Sequence, residues 1–308
     1  MNTRLLNTRL LSLSAALLAA LPLAAQAQTT ATAPTASPVT LRYKWTPGEV
    51  RYYKMTMDMN MAMSMGGQAA SASRTMPAMA QHMVMAYDTA VQSVNPDGSA
   101  ILTEHITQMT ATLNGQPIPG IGAIANAYKG GFTVVMSPAG KVLSMQLPPA
   151  VAGQMPPGMD LSKMGSMVPA ILPDAPIQIG DTWQSNTDLP MFGQMPGMPA
   201  MQLTVFSTLA GVSKGAQPIA NIHQAMQGTL GGAVPAGAAG SASMAGQFHG
   251  DTSLKFDVDK GSVVGQDGTI TMNTTVALPR MPNASAPKSM RMQMQMTTHL
   301  ERLAGASR

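Results

Sequence analysis

The stretch Met55-Thr-Met57-Asp-Met59-Asn-Met61-Ala-Met63-Ser-Met65 decides the local fold, because it places methionine at every second residue. Residues two apart lie about 200° apart around a helix axis, whereas in a strand they lie on the same face. The stretch is therefore predicted to be a β-strand with thioethers on one face and polar or small side chains on the other. The same alternation returns in Met290-Arg-Met292-Gln-Met294-Gln-Met296.

Period-2 runs separated by turn residues continue along the chain, which is typical of an antiparallel all-β protein. Asn95-Pro96-Asp97-Gly98 and Ser137-Pro138-Ala139-Gly140 are predicted to close two hairpins. The predicted strands are 41–45, 50–65, 81–94, 100–113, 132–136, 141–147, 201–212, 218–230, 254–258 and 263–276. The Gly/Ala-rich stretch 231–243 is predicted to be a long flexible loop.

The second half of the chain repeats the plan of the first. The spacing from Gly98 to Gly140 is 42 residues and that from Gly215 to Gly261 is 46, so either a duplication or a chance similarity of regular β patterns explains them. We expect an all-β fold of two similar antiparallel halves, arranged as a curved sheet, half-barrel or sandwich. The expected parts are a signal peptide (1–27), a flexible spacer (28–39), a first β half (40–147), a Pro/Met-rich linker or lid with a short helix at 161–168 (148–180), and a second β half (181–303).

The N-terminus has the layout of a secretory signal peptide. Arg4 and Arg9 precede an apolar run that ends in Ala25-Gln26-Ala27, a small-x-small cleavage site. We therefore expect a periplasmic or extracellular protein after cleavage. No later segment approaches the roughly 20 apolar residues of a spanning helix, so no membrane span is expected. Without cysteine, the chain can form neither disulfides, nor thiolate metal sites, nor a lipid anchor on cysteine.

The composition narrows the classes of function. Charged residues make up 10% and aromatic residues 4% of the chain, and no Lys/Arg cluster accompanies an aromatic array, so nucleic-acid binding is not expected. No Gly-x-Ser-x-Gly nucleophile motif occurs, and Gly120-Ile-Gly122 follows prolines in a predicted loop rather than a strand. Asp257 and Asp259 share a strand face beside a turn, and acidic residues in such a position more often form the turn than a catalytic pair. We expect a protein that is not an enzyme and carries no cofactor.

The 30 methionines admit several explanations. Methionine can fill the core of a sheet that lacks aromatic residues, or it can line a cavity for an apolar ligand or lipid, because its flexible thioether adapts to varied shapes. It can also act as a sacrificial target of oxidation. The predicted ligand-binding residues on the strands are Met55, Met57, Met59, Met61, Met83, Met85, Met290, Met292 and Met294.

The alternative is a Cu(I) or Ag(I) site, because thioethers prefer soft ions. Several methionines stand in Pro/Gly-rich segments that have no sheet face to fill, and these segments resemble the methionine-rich segments of bacterial periplasmic copper-handling proteins. The predicted metal ligands are Met155, Met159, Met191, Met195, Met198 and Met201. The five histidines have no paired metal spacing, although His82 stands beside Met83 and could join a mixed site.

Several strand openings and turns carry a family resemblance. They are Leu41-Arg-Tyr-Lys-Trp-Thr-Pro-Gly-Glu-Val-Arg-Tyr-Tyr-Lys-Met55, Ser137-Pro-Ala-Gly-Lys-Val142, Gly180-Asp-Thr-Trp183 and Phe256-Asp-Val-Asp-Lys-Gly261. In these motifs the chain resembles a group of uncharacterised exported bacterial β proteins, which is in turn similar to the LolA-type lipoprotein carriers. The resemblance implies a curved antiparallel sheet with an apolar concave side, and it implies no functional residue.

Overall fold

A computed structural model describes residues 37–66, 74–128, 130–148, 171–189, 201–235, 241–277 and 289–305. These residues belong to one compact unit, Ala36–Arg308. The strands are β1 (Val50–Gly66), β2 (Arg74–Thr75), β3 (Met79–Val94), β4 (Ala100–Leu113), β5 (Gln116–Pro117), β6 (Phe132–Met136), β7 (Val142–Gln146), β8 (Thr182–Leu189), β9 (Met201–Val212), β10 (Ile219–Pro235), β11 (Ser241–Asp257), β12 (Ser262–Ala277) and β13 (Ser289–Leu303). Helix α1 (Ile121–Ala127) lies between β5 and β6. The all-β prediction is confirmed.

The strands form one open, curved sheet in the order β7-β6-β4-β3-β1-β13-β12-β11-β10-β9-β8, with β2 and β5 added beside β1 and β4. Every strand pair is antiparallel. Apart from the short β2 and β5, neighbours in this order follow one another along the chain, except β1 and β13, which pair at the centre. The first and last long strands therefore meet in the middle of the sheet.

Most predicted strand positions agree with the structure, but the predicted strand Leu41–Trp45 is wrong. Its alternating side chains Leu41 and Tyr43 are buried, as in a strand, yet its backbone joins no ladder. The N–H of Tyr43 donates to the carbonyl of Pro138 at 2.8 Å, and that of Lys44 donates to Gly261 at 3.1 Å. The segment therefore lies against two distant turns, a partnership that local sequence does not encode.

The predicted flexible loop 231–243 is also wrong over most of its length. Strand β10 continues to Pro235, β11 begins at Ser241, and Gly232 lies opposite Met244. Pairing with a long neighbour holds the Gly/Ala stretch extended despite the poor strand propensity of glycine and alanine. Helix α1 likewise occupies a stretch predicted to be a loop. The short helix predicted at 161–168 lies outside the described residues.

The two faces of the sheet differ in chemistry. The face that carries Met55, Met85 and Met294 is called the methionine face, and the opposite face, with Asp58 and His299, is called the polar face. At one end of the methionine face, residues 39–45 and 171–181 cover the sheet and bury its aliphatic and aromatic side chains. This end contains two clusters of buried residues, one with Leu41, Leu172, Leu254 and Phe256, the other with Val91, Leu102, Val134 and Met136. Among the described helices, none is long and apolar enough to cross a membrane.

Candidate ligand-binding site

The register of the central strands brings the predicted strand methionines onto one face. Met55 lies opposite Met85, and Met57 lies opposite Met83. On the other side of β1, Met61 lies opposite Met294. Side chains at directly opposite positions share a face, with Cβ atoms about 4.5–5.5 Å apart. Continued alternation adds Met59, Met290 and Met292, so all nine predicted residues lie on the methionine face of β3, β1 and β13.

Further methionines extend these pairs into rows across the sheet. Met61 lies between Met79 of β3 and Met294 of β13, and Met294 in turn lies opposite Met272 of β12. This row spans four neighbouring strands. In a second row, Met109 of β4 lies opposite Met85. Met109 and Met272 were missed because each is the only methionine of its strand, and Met79 because it precedes the predicted start of β3 at residue 81. The strand register brings all three to the face.

The nine predicted methionines are all partly exposed. Met272, by contrast, is only 9% exposed and belongs to a buried cluster with Phe248. Separate, closed cores around Met57 and Met294 would exclude a shared ligand surface. The partial exposure of both side chains shows that they do not point into such cores. The central part of the methionine face presents flexible apolar side chains that are neither fully packed nor isolated.

Glycines make room on the β11 side of the methionine face. A Cβ atom at Gly250 would lie 3.0 Å from the methyl carbon of Met226 and 3.1 Å from Cγ1 of Ile270. Both distances are tighter than ordinary carbon contacts, so the side chains of the flanking strands lean over the glycine. Met226 and Ile270 pack with Phe248 in a buried cluster that borders the partly exposed methionines of the face.

The polar face carries cross-strand pairs of histidine and aspartate. The Nδ1 atom of His82 lies 2.7 Å from the Asp58 carboxylate, and that of His299 lies 2.6 Å from Asp267. A mixed site of His82 with Met83 is therefore wrong, since neighbouring residues of a strand point to opposite faces. The described part of the chain contains no group of three or more His, Asp or Glu side chains that could hold a metal ion.

The loop methionines of the metal alternative fall mainly outside the described residues. This applies to Met155, Met159, Met191, Met195 and Met198. Met201 is the first residue of β9 and lies opposite Leu189 of β8. Binding of Cu(I) by these residues stays a prediction.

An aromatic cavity lies at the covered end of the methionine face. The rings of Tyr53 on β1 and Tyr87 on β3 stack with centroids 5.3 Å apart. The rings of Tyr43 and Trp45, in the covering segment, stack at 5.6 Å. Glu104 of β4 lines the same cavity. The sequence signal was the concentration of aromatic residues in 43–53, but only the fold adds Tyr87 and Glu104 to them.

Burial and charge change the chemistry of this cavity. Burial, reinforced by the nearby Asp88 carboxylate, raises the pKa of Glu104 to about 7. Burial also raises the pKa of Tyr53 and that of Tyr87. The indole Nε1 of Trp45 is buried without an acceptor among the described residues. The cavity therefore combines apolar walls with a carboxyl group that changes charge near neutral pH.

Comparison with known proteins does not place the chain in a family. No protein-family model matches it, and no curated protein matches it significantly. Functional inference therefore rests on the geometry of the methionine face and of the aromatic cavity.

Proposed function

We propose that this protein is an exported, non-enzymatic binding protein whose methionine face holds the hydrocarbon part of an apolar ligand or lipid. The observation that carries the proposal is the register of β3, β1 and β13, which gathers partly exposed thioethers from strands at both ends of the chain. Unbranched, polarisable side chains repack around ligands of different shape at small cost.

The partial exposure of these side chains supports binding over core filling. A sheet face that served only as a core would be covered, as the end with Leu254 and Phe256 is. A continuous apolar surface that stays partly exposed is unusual on a protein that has no partner for it. Burial of each methylene group contributes about 0.8 kcal/mol, so an eight-carbon chain gains about 6 kcal/mol before the costs of association. Such a gain is compatible with reversible binding.

The proposal is tested by binding of a neutral apolar dye, N-phenyl-1-naphthylamine, followed by fluorescence. In the double variant Met57→Thr/Met294→Thr, we expect at least tenfold weaker binding, because hydroxyl groups replace apolar contacts. Met57→Leu/Met294→Leu should bind within about threefold of the wild type, because leucine preserves the apolar volume. Gln295→Thr, on the polar face of β13, is the matched control. If the wild type does not bind the dye, or the Thr variant binds it equally well, the proposal fails.

A second candidate function is Cu(I) or Ag(I) binding. It is favoured by the rows of thioethers on adjacent strands, such as Met79, Met61 and Met294, whose long side chains can converge on one ion. The loop methionines that include Met195 and Met198 are the other possible ligands.

Leucine substitutions separate the two functions, because leucine keeps the volume of methionine and removes the sulfur. A Cu(I) site on the sheet requires Met61→Leu/Met294→Leu to lose Cu(I) in competition with a chelator. A site in the loops requires the same loss from Met195→Leu/Met198→Leu. If the wild type does not compete in the micromolar range, Cu(I) binding is excluded and the apolar-ligand proposal is unaffected.

A further inference from the structure

The aromatic cavity adjoins the methionine face directly. Tyr53 precedes Met55 by two residues on β1, and Tyr87 follows Met85 by two residues on β3, so each pair shares a face. Leu300, which lines the cavity, lies opposite Met55 on the next strand. A ligand lying along the methionine face toward its covered end therefore reaches this cavity.

Glu104 gives the cavity an unbalanced acidic group. Within the described part of the chain, no hydrogen bond or ion pair engages its carboxylate. Asp88, whose negative charge also raises the pKa of Glu104, lies on the polar face and pairs with His105 at 3.0 Å. A carboxylate in an apolar cavity is costly unless a cation or hydrogen-bond donor accompanies it. The geometry thus leaves a place for a ligand group of positive charge.

The aromatic rings around Glu104 favour the same kind of group. Faces of Tyr and Trp rings attract ammonium ions through their quadrupoles, and several rings together form cation-binding cages. The Arg51 guanidinium is 4.5 Å from the centroid of the Trp45 ring and pairs with Glu49, with Nε to Oε1 at 2.8 Å. Arg51 is therefore already paired and does not compensate Glu104.

The cavity is small, about 60 Å³ in volume. A primary ammonium with its first methylene is the most compact cationic head group that can place its charge beside Glu104 while the chain continues onto the methionine face.

We propose that the ligand of this protein is a cationic amphiphile, with a primary ammonium head beside Glu104 in the aromatic cavity and a hydrocarbon chain on the methionine face. This inference rests on the proposed function, since it requires the methionine face to hold the chain. It adds the charge, the size and the orientation of the ligand.

Calorimetry with four ligands of equal chain length tests the inference at pH 8: octylamine, octyltrimethylammonium, 1-octanol and octanoate. We expect octylamine to bind the wild type at least tenfold more tightly than each of the others. In Glu104→Gln, octylamine should fall to the affinity of octanol, while octanol binding stays unchanged. In Met55→Thr/Met85→Thr, which changes the opposed pair of methionines next to the cavity, octylamine and octanol should weaken by the same factor.

The outcomes separate the two proposals. If octylamine and octanol bind the wild type equally, or if Glu104→Gln keeps the preference for octylamine, the head-group inference is overturned and the apolar-ligand proposal stands. If none of the four ligands binds, both are overturned.

The wild type at lower pH provides a test that needs no substitution. The preference for octylamine over octanol should shrink at least threefold between pH 8 and pH 5.5, because Glu104 is protonated there while the amine keeps its proton. The groups around Glu104 are the rings of Tyr43, Tyr53 and Tyr87, and Asp88 with His105 behind the sheet. Burial raises the pKa of Tyr53 and that of Tyr87, so these two phenols stay neutral between pH 5.5 and pH 8. Repeating the series with Glu104→Gln removes the glutamate and isolates any effect of the other groups. A preference that is constant with pH would overturn the inference.

Discussion

Met61 on β1 lies directly opposite Met294 on β13, although the two strands come from opposite ends of the chain. This single register places the alternating methionines of both strands on the same face. A slip of one residue would turn one of the two sets toward the polar face. The pairing of β1 with β13 therefore creates the methionine face as well as closing the centre of the sheet.

Oxidation should abolish binding of apolar ligands. Hydrogen peroxide converts methionine to its sulfoxide, which is polar, so the partly exposed Met55, Met57 and Met61 lose their apolar character. We expect at least tenfold weaker dye binding after oxidation, and recovery after treatment with methionine sulfoxide reductases. Peptide mass spectrometry should show that these positions oxidise before Met244 and Met272, which are 8% and 9% exposed. Unchanged binding by the oxidised protein would contradict the account.

Glu104 should make the folded protein less stable as the pH rises. Its pKa is raised from 4.5 to about 7 in the folded state, so the folded protein binds the proton more tightly than the unfolded chain does. The contribution is fully present below pH 4.5 and is lost as the pH rises to 7, a change of at most about 3 kcal/mol. Urea unfolding should show that Glu104→Gln lacks this loss. Equal pH dependence in both proteins would show that Glu104 is not the cause.

The docking of segment 39–45 should depend on Gly261. A Cβ atom there would clash with the backbone N of Lys44 and lie 2.6 Å from the carbonyl oxygen of Arg42, and the φ angle of +56° already disfavours other residues. We expect Gly261→Ala to lower the free energy of unfolding by about 3 kcal/mol or more. Gly48→Ala is the matched control, because its φ is +82° but nothing lies within 4 Å of the added carbon. It should cost about 1 kcal/mol. Equal losses would contradict close packing of the segment.

Removing the Arg51 guanidinium should also loosen this end of the sheet. Arg51 is 2% exposed, pairs with Glu49, and stacks on Trp45. Arg51→Leu keeps much of the apolar volume, but it removes the hydrogen bond to the Gly261 carbonyl and leaves the partly buried Glu49 with only the longer contact to Arg302, at 3.4 Å. We therefore expect a loss of about 2–4 kcal/mol in the free energy of unfolding. The double variant Arg51→Leu/Glu49→Leu should recover part of that loss. A single variant as stable as the wild type would show that the pair contributes nothing.

The sequence predicts those parts of the fold that are encoded locally. The alternation from Met55 to Met65 predicts β1, and Asn95-Pro96-Asp97-Gly98 predicts the β3–β4 hairpin, because side-chain period and turn residues act over short distances. The path of Leu41–Trp45 was not predictable, since its hydrogen bonds go to Pro138 and Gly261.

The candidate site divides in the same way. The methionines of each strand could be assigned to a common face from alternation, whereas their meeting across β3, β1 and β13 depends on long-range pairing. Glu104 has no local motif. It was missed because its surroundings come from β1, β3 and the covering segment, which only the folded chain brings together.

The central claim is that the methionine face holds a hydrocarbon chain, and NMR of protein labelled with ¹³C at the methionine methyl groups tests it most directly. Titration with 1-octanol should shift the methyl signals of Met55, Met57, Met61, Met85 and Met294 together and saturably, while that of the buried Met244 moves little. If the signals of the five face methionines do not shift, or shift no more than that of Met244, the methionine face does not bind an apolar chain.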